Sequence, residues 1–528
     1  MKRRWIVIAA VFVLFAVRLG YRVESSGIAS GWVDPVGRIA AQDEAVYSHI
    51  ALRMARTGEW LTPRFLDRLA LFKPPMLYWL SGISAKLFGP SNLSLRLPSI
   101  LAGAAVAALA VAWALSWGPW QALAVALLLA ANPLLHRLSR LNLMDALLAA
   151  LFLGGACIIR ADPALKLRSS RIGFGALVGA GVLTKAIAGC LPLVMLALYW
   201  VLALREERPR LRALLEVAGW TALAAAPWHL YQWIVHPQWF WSEYIIDEHF
   251  RSAIAPLGQT SREGQLDFYV RRWARLDPVL LGAWLLALPW LAWALWKRRS
   301  AGILVPLCAL ATVCAAVLAF QYRNAAYLLP AMAPAALCAV AAGPLRHPWG
   351  AALASAFLAA ALVGRVLHPT EVWGLPFPEQ ASAPSAQDLD RYAAQNRGRD
   401  LIIVFPSDEF YSTLLPAPRV RYVFTDDGRH RARPAMDFRY LGITLSVEEF
   451  LDIDRRRPVF EERLRRFNLD TTAPLGTVIE LSSEGEFPRL IAGAPKADFF
   501  LPGHLCYSAP PGRAVVPASG GRCFVYGN

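Results

Sequence analysis

The sequence predicts a polytopic α-helical membrane protein of about eleven spans with a soluble α/β domain at its C-terminal end. Three observations carry that reading. Of 528 residues, 56% are hydrophobic and only 17% charged, where a soluble domain carries about a quarter charged residues. The mean hydropathy is +0.39. Many of the 20 tryptophans stand at the ends of apolar runs, as at Trp60, Trp79, Trp117, Trp120, Trp228, Trp290 and Trp349, which suits the headgroup belt of a bilayer.

The apolar runs cover residues 5–21, 97–116, 119–136, 143–160, 172–184, 186–204, 213–235, 277–296, 301–320, 326–342 and 350–367. Met1 to Tyr21 has the basic start and apolar body of a signal peptide, but no clear small-x-small site precedes a polar start, so it reads as an uncleaved first span. Gly118-Pro119 divides one long run into two helices. With Lys2-Arg3-Arg4 inside, alternation puts Arg160/Lys166/Arg168/Arg171, Arg205/Arg208/Arg210/Arg212, Lys297/Arg298/Arg299 and Arg346 on that same side. This is the expected excess of cytoplasmic Lys and Arg. Residues 21–97, 137–142, the turn at Thr184-Lys185, residues 236–276, 321–327 and everything after about 368 then lie on the outer face.

The net charge of +16 does not point to nucleic acid, because the basic residues form no stripe interleaved with aromatics. There is no internal repeat, no Gly-rich nucleotide loop and no serine elbow. Five cysteines lie in apolar runs and read as small hydrophobes. Cys506 and Cys523 fall in the polar tail, where an oxidising compartment would let them pair.

The long outer loop is not plain. Residues 44–56 have helical spacing, with Val46, Ile50 and Met54 on one face, and residues 75–88 suggest a second helix lying on the membrane. The tail, residues 368–528, reads as an α/β domain. Its strand candidates are 401–405, 420–424 and 477–481, and its helix candidates 407–415 and 446–467.

Chemistry-bearing residues gather on the outer face. Asp43 and Glu44 offer carboxylates able to take a proton from an attacking hydroxyl, or simply an acidic first turn. Lys73, held by Pro74-Pro75, suits a phosphate, or is a lysine snorkelling to the interface. Asp145 opens the fourth span as a functional ionisable group or a helix cap. Lys185, Arg323 and Tyr327 add cations and a phenol on the same side. Glu243, Asp247, Glu248, His249 and Arg251 cluster before the eighth span. They form a solvated charged loop, or leave room for a divalent metal beside His249, although no His-x-x-x-His or paired-cysteine spacing supports one.

These motifs have a recognisable order: Asp43-Glu44-x-x-Tyr47, Gly58-Glu59-Trp60-Leu61-Thr62-Pro63-Arg64, Lys73-Pro74-Pro75-Met76-Leu77-Tyr78-Trp79-Leu80, Leu87-Phe88-Gly89 and Arg96-Leu97-Pro98-Ser99. Asn142-x-x-Asp145, Leu183-Thr184-Lys185 and Tyr327-Leu328-Leu329-Pro330 follow. Residues 1–340 thereby resemble the bacterial polyprenyl-phosphate-sugar glycosyltransferases of GT-C fold, which include the aminoarabinose transferases of lipid A and are related to the protein O-mannosyltransferases. The resemblance implies inverting transfer of a sugar from an undecaprenyl-phosphate carrier to a periplasmic lipid or glycan acceptor, in the bacterial inner membrane, with the tail in the periplasm. It implies Asp43 as the principal catalytic acid, with Glu44 beside it and Asp145 opposite. It implies Lys73, Lys185, Arg323 and Tyr327 on the carrier phosphate. The aminoarabinose enzymes carry Arg where this chain has Val46. Where it has Phe72 they carry a Glu that helps hold a metal. The competing reading is a lipid-linked-sugar transporter or flippase without transferase activity, which would call for charge near mid-span and often a repeat.

Overall fold

The computed structural model describes residues 2–21, 23, 43–65, 68–251, 264–297, 301–320, 323–341, 343–367, 388–389, 391–392, 395, 399–406, 420–425, 480–481, 487–507 and 509–527. Every apolar run of the sequence is helical. The first ten helices are α1 (Lys2–Gly20), α2 (Glu44–Thr57), α3 (Met76–Phe88), α4 (Asn92–Ala114), α5 (Pro119–Ala131), α6 (Pro133–Ser139), α7 (Met144–Ala161), α8 (Arg168–Lys185), α9 (Leu191–Leu202) and α10 (Leu211–Val235). After a π-helical segment, Phe240–Arg251, come Gln265–Leu276, Pro278–Lys297, Ala301–Ala319, Leu329–Ala341 and Pro348–Leu367. Four helical stretches among the described residues are long and apolar enough to cross a membrane by length and composition, and five if the bent pair α5–α6 counts as one.

One of the four is Arg168–Leu202, taken as a single 35-residue helix. The backbone is not continuous there. Ala186 has φ +42°, a single-turn 3-10 segment follows, and a Cβ on Gly189 would come within 2.1 Å of Gly181 C. Residues eight apart in one straight helix stand about 12 Å apart along the axis. The chain therefore folds back at Lys185, as the Thr184-Lys185 turn predicts, and α8 and α9 are separate arms.

Helix ends obey local chemistry. Ser91 and Ser94 form a reciprocal capping box, so α4 starts at Asn92, earlier than apolarity alone suggests. Asn132 caps α6 by accepting from Leu135 N, and the chain bends by 62° there. The run expected at 119–136 is thus two helices. Gly175 and Gly179 have no room for a Cβ against Val217, Trp220, Thr221 and Ala224, which lets α8 lie close on α10.

The stretch between α1 and α4 carries α2, α3 and a small hairpin of β1 (Arg64–Phe65) and β2 (Arg68–Leu69). Gly58, at φ +77°, ends α2 and donates its N–H to Met54 O. The buried side of α2 is broader than its apolar stripe, because Glu44, Tyr47 and Ser48 are buried along with Ile50 and Met54.

Near the C-terminus, β3 (Leu401–Pro406), β4 (Val420–Thr425), β5 (Glu480–Leu481), β6 (Asp498–Leu501), β7 (Val515–Ala518) and β8 (Arg522–Val525) form one sheet in the order β5-β4-β3-β6-β8-β7. It is parallel from β5 to β6 and antiparallel from β6 to β7. Alternating residues Ile402, Val404, Phe499, Leu501, Cys523 and Val525 bury one face with Phe487, Leu490 and Ile491 of the helix Phe487–Gly493. Cys506 and Cys523 are joined as a disulfide. The helix candidates 407–415 and 446–467 and the expected domain boundary at 367/368 lie outside the described residues or at their edge.

Candidate active site

A buried polar network holds α2 and α3 against α4 and the start of α7. Glu44 and Arg96 are 2% and 1% exposed. Arg96 donates from both Nε and a terminal nitrogen to the two Glu44 oxygens, at 2.7 and 3.0 Å, and from its other terminal nitrogen to Val23 O. Asn142 N donates to the same Glu44 carboxylate at 2.8 Å. Its side chain donates to Ser48 Oγ and accepts from Ser81 Oγ. Ser99 Oγ donates to Leu143 O. The residue after Asp43 and the residue three before Asp145 are therefore fastened to each other.

Asp43 itself lies exposed at the α2 N-terminus and makes no side-chain cap. Tyr47 Oη donates to Asp43 Oδ2 at 3.1 Å, and Tyr78 packs edge-on against Tyr47. Asp145 is not the helix cap: Leu143 takes that position, and the Asp145 carboxylate accepts from Lys185 Nζ at 2.7 Å. Lys185 Nζ also lies 4.5 Å from the centre of the Tyr327 ring.

Lys73 pairs with Glu248 of the π-helical segment. Burial pulls the Lys73 ammonium down to about 8, against the opposing pull of Asp43 and Asp145 and with Lys185 adding to the fall. The same charges that perturb Lys73 show that it shares a locale with Asp43, Asp145 and Lys185. The Arg323 guanidinium lies over the Phe268 ring, 6.0 Å from its centre. Glu44 is adjacent in sequence to Asp43, but its carboxylate is committed to Arg96 and Asn142 rather than free.

The π-helical segment closes over this locale. Glu243 accepts from Leu71 N, and His229 Nε2 meets Tyr244 Oη at 2.7 Å. At its entry, Trp228 and Gln232 both donate to Leu61 O, and Thr62 Oγ1 faces His236 Nε2. Sequence reasoning missed Glu248 as the partner of Lys73 and Arg96 as the partner of Glu44. Opposite charges in the matching motifs are the only signal that could have paired them. His249 Nδ1 is occupied by Tyr244 O. Among the described residues no group of three His, Cys, Asp or Glu side chains is placed to hold a metal. The described side chains beside His249 therefore form no metal-ligand set.

Known proteins share this fold. The backbone matches the crystal structure of ArnT from Cupriavidus metallidurans bound to undecaprenyl phosphate, with a TM-score of 0.62 over 99% of this chain and 97% of that one, at 16% identity. The chain has the GT-C fold. Residues 72–231 match the family described as dolichyl-phosphate-mannose-protein mannosyltransferase. The undecaprenyl phosphate-alpha-4-amino-4-deoxy-L-arabinose arabinosyl transferase of Aeromonas salmonicida (strain A449) is 30% identical over 260 residues, 47% of this chain and 44% of that one. Its counterpart in Pectobacterium atrosepticum is 31% identical over 226 residues, 38% of this chain and 39% of that one. These alignments span less than half the length of the curated relatives. They bear out the resemblance carried by the outer-loop motifs, and they agree with a polytopic helical membrane protein of GT-C architecture.

Proposed function

We propose that the protein is an inverting glycosyltransferase of the bacterial inner membrane that moves a sugar from an undecaprenyl-phosphate carrier to a periplasmic lipid or glycan acceptor. One observation carries this reading. Asp43, Lys73, Asp145, Lys185 and Tyr327 come from four distant parts of the chain and meet in one electrostatically coupled locale. The likeness to ArnT and to the arabinosyl transferases supports the carrier and the reaction class. The Cys506–Cys523 disulfide favours an oxidising compartment for the tail. Residues 1–367 are read as the transferase unit of about eleven spans, and residues 368–528 as a periplasmic domain.

In this mechanism an acceptor oxygen attacks the anomeric carbon as the carbon–oxygen bond to the carrier phosphate breaks. The electron pair leaves with the phosphate as undecaprenyl phosphate. Lys73, Lys185 and Arg323 stabilise that developing charge, and Tyr327 flanks Lys185. Asp43 takes the proton of a hydroxyl acceptor. Asp145 orients Lys185, and Glu44 is a positioning residue that fixes the turn bearing Asp43. The carrier phosphate takes the place of Glu248 on Lys73.

Purified protein in liposomes should transfer label from undecaprenyl-phosphate-linked sugars to envelope lipid or glycan. A deletion strain should lose one glycosylated species by mass spectrometry. Passage of the lipid-linked sugar across vesicles with no glycosylated product would establish a transporter instead.

The Lys73 shift gives a pH prediction with a definite sign. The ammonium is charged below about 8 and loses its proton above it. Affinity for undecaprenyl phosphate should therefore fall as pH rises beyond about 8, by up to about tenfold per pH unit for loss of one proton. Lys73→Met should bind weakly at every pH and lose this dependence. A wild-type affinity that stays flat from pH 7 to 10 would exclude Lys73 from the phosphate site.

A further inference from the structure

The hydroxyl of Tyr78 makes no hydrogen bond, although the side chain is fully buried. A buried hydroxyl without a partner is costly, and phenylalanine would fill the same space without that cost. Its position makes the orphan more than a packing defect. Tyr78 is in the first turn of α3, five residues after Lys73 and directly behind the Pro74-Pro75 pair that fixes it. Its ring lies 5.5 Å from that of Tyr47, at 63°. The two phenols thus sit side by side, and only Tyr47 reaches Asp43.

The charges felt at Tyr78 are those of Asp43 and Glu243, one on the outer-loop helix and one on the segment that closes over the site. Both are acceptors, yet neither is within bonding distance of this hydroxyl. Burial and both carboxylates hold the phenol protonated, so it is available only as a neutral donor. Ser81, one turn further along the same helix, is bonded to Asn142, so α3 is anchored and cannot rotate freely to satisfy Tyr78.

Resting on the glycosyltransferase reading, we propose that Tyr78 is a substrate-binding residue whose hydroxyl donates to an oxygen of the lipid-linked phosphosugar seated beside Asp43. The orphan donor is then satisfied once the substrate enters, and its desolvation is already in place before binding. The interaction adds a neutral hydrogen bond to the charge–charge contacts of Lys73 and Lys185.

The test is Tyr78→Phe in full-length protein reconstituted in liposomes, read by melting temperature, undecaprenyl phosphate affinity, and KM and kcat for transfer. Melting should be unchanged or slightly higher, since an unsatisfied hydroxyl is removed. Transfer efficiency should fall by about three- to tenfold if the acceptor is a sugar oxygen, and by up to about a hundredfold if it is the charged phosphate. A parallel loss of undecaprenyl phosphate affinity puts the contact on the phosphate. Unchanged carrier affinity with impaired transfer puts it on the sugar. An active wild type alongside a Tyr78→Phe protein with wild-type KM, kcat and carrier affinity overturns the inference. A wild type that transfers no sugar overturns the glycosyltransferase reading on which it rests, a separate outcome.

Discussion

Asp43→Asn is expected to cut transfer sharply while the protein stays folded and still binds the carrier. Three features make this substitution clean. Asp43 is exposed, so no buried charge is stranded. It makes no side-chain cap to α2, so the helix start does not depend on it. Its one side-chain partner, Tyr47 Oη, can donate equally to an amide oxygen. What the substitution removes is the negative charge and the capacity to take a proton. With a hydroxyl acceptor, the loss of a general base should lower kcat by about 10²–10⁴-fold. With a phosphate acceptor, already anionic, no base is required and the fall should be smaller. The size of the effect, measured at saturating carrier, therefore also reports the acceptor class. Full transfer by Asp43→Asn would remove Asp43 from the mechanism.

The membrane part was legible because apolar length, Gly118-Pro119 and the Thr184-Lys185 turn are local signals, and each reappears as a helix or a break. Helix ends were less legible. α4 begins at a serine capping box, and the run 119–136 breaks at Asn132, where polar side chains override the apolar count. In the tail, strands of four residues such as Asp498–Leu501 and Arg522–Val525 were missed, since runs so short carry no resolvable period. At the site, residue types singled out several groups that the fold brings together, but not their partners. Asp43 and Glu44 are adjacent in sequence and look equivalent. The fold separates them, leaving the first exposed and burying the second against an arginine 52 positions away. No local pattern encodes such a pairing.

That separation leads to the largest expected effect on stability. Arg96→Leu would leave the Glu44 carboxylate buried without its guanidinium, and Glu44→Leu would strand Arg96 in the same way. Breaking a buried pair on one side costs about 3–5 kcal/mol. Both are 1–2% exposed, so solvent offers little compensation. Each single variant should express poorly and unfold well below wild type in detergent, as read by a thermal-shift assay. The double variant Glu44→Leu/Arg96→Leu should regain much of that loss, because a matched apolar pair removes both desolvation penalties. It should not regain transfer. Asn142 N would lose its acceptor on Glu44, while Asn142 would keep its own bonds to Ser48 and Ser81. The turn bearing Asp43 would then be tied less firmly to the start of α7, where Asp145 holds Lys185. A stable but inactive double variant separates positioning from folding. Wild-type stability in Arg96→Leu alone would show that the ion pair contributes nothing to the fold. Wild-type transfer in the double variant would show that the acid and the cation site do not depend on this network for their alignment.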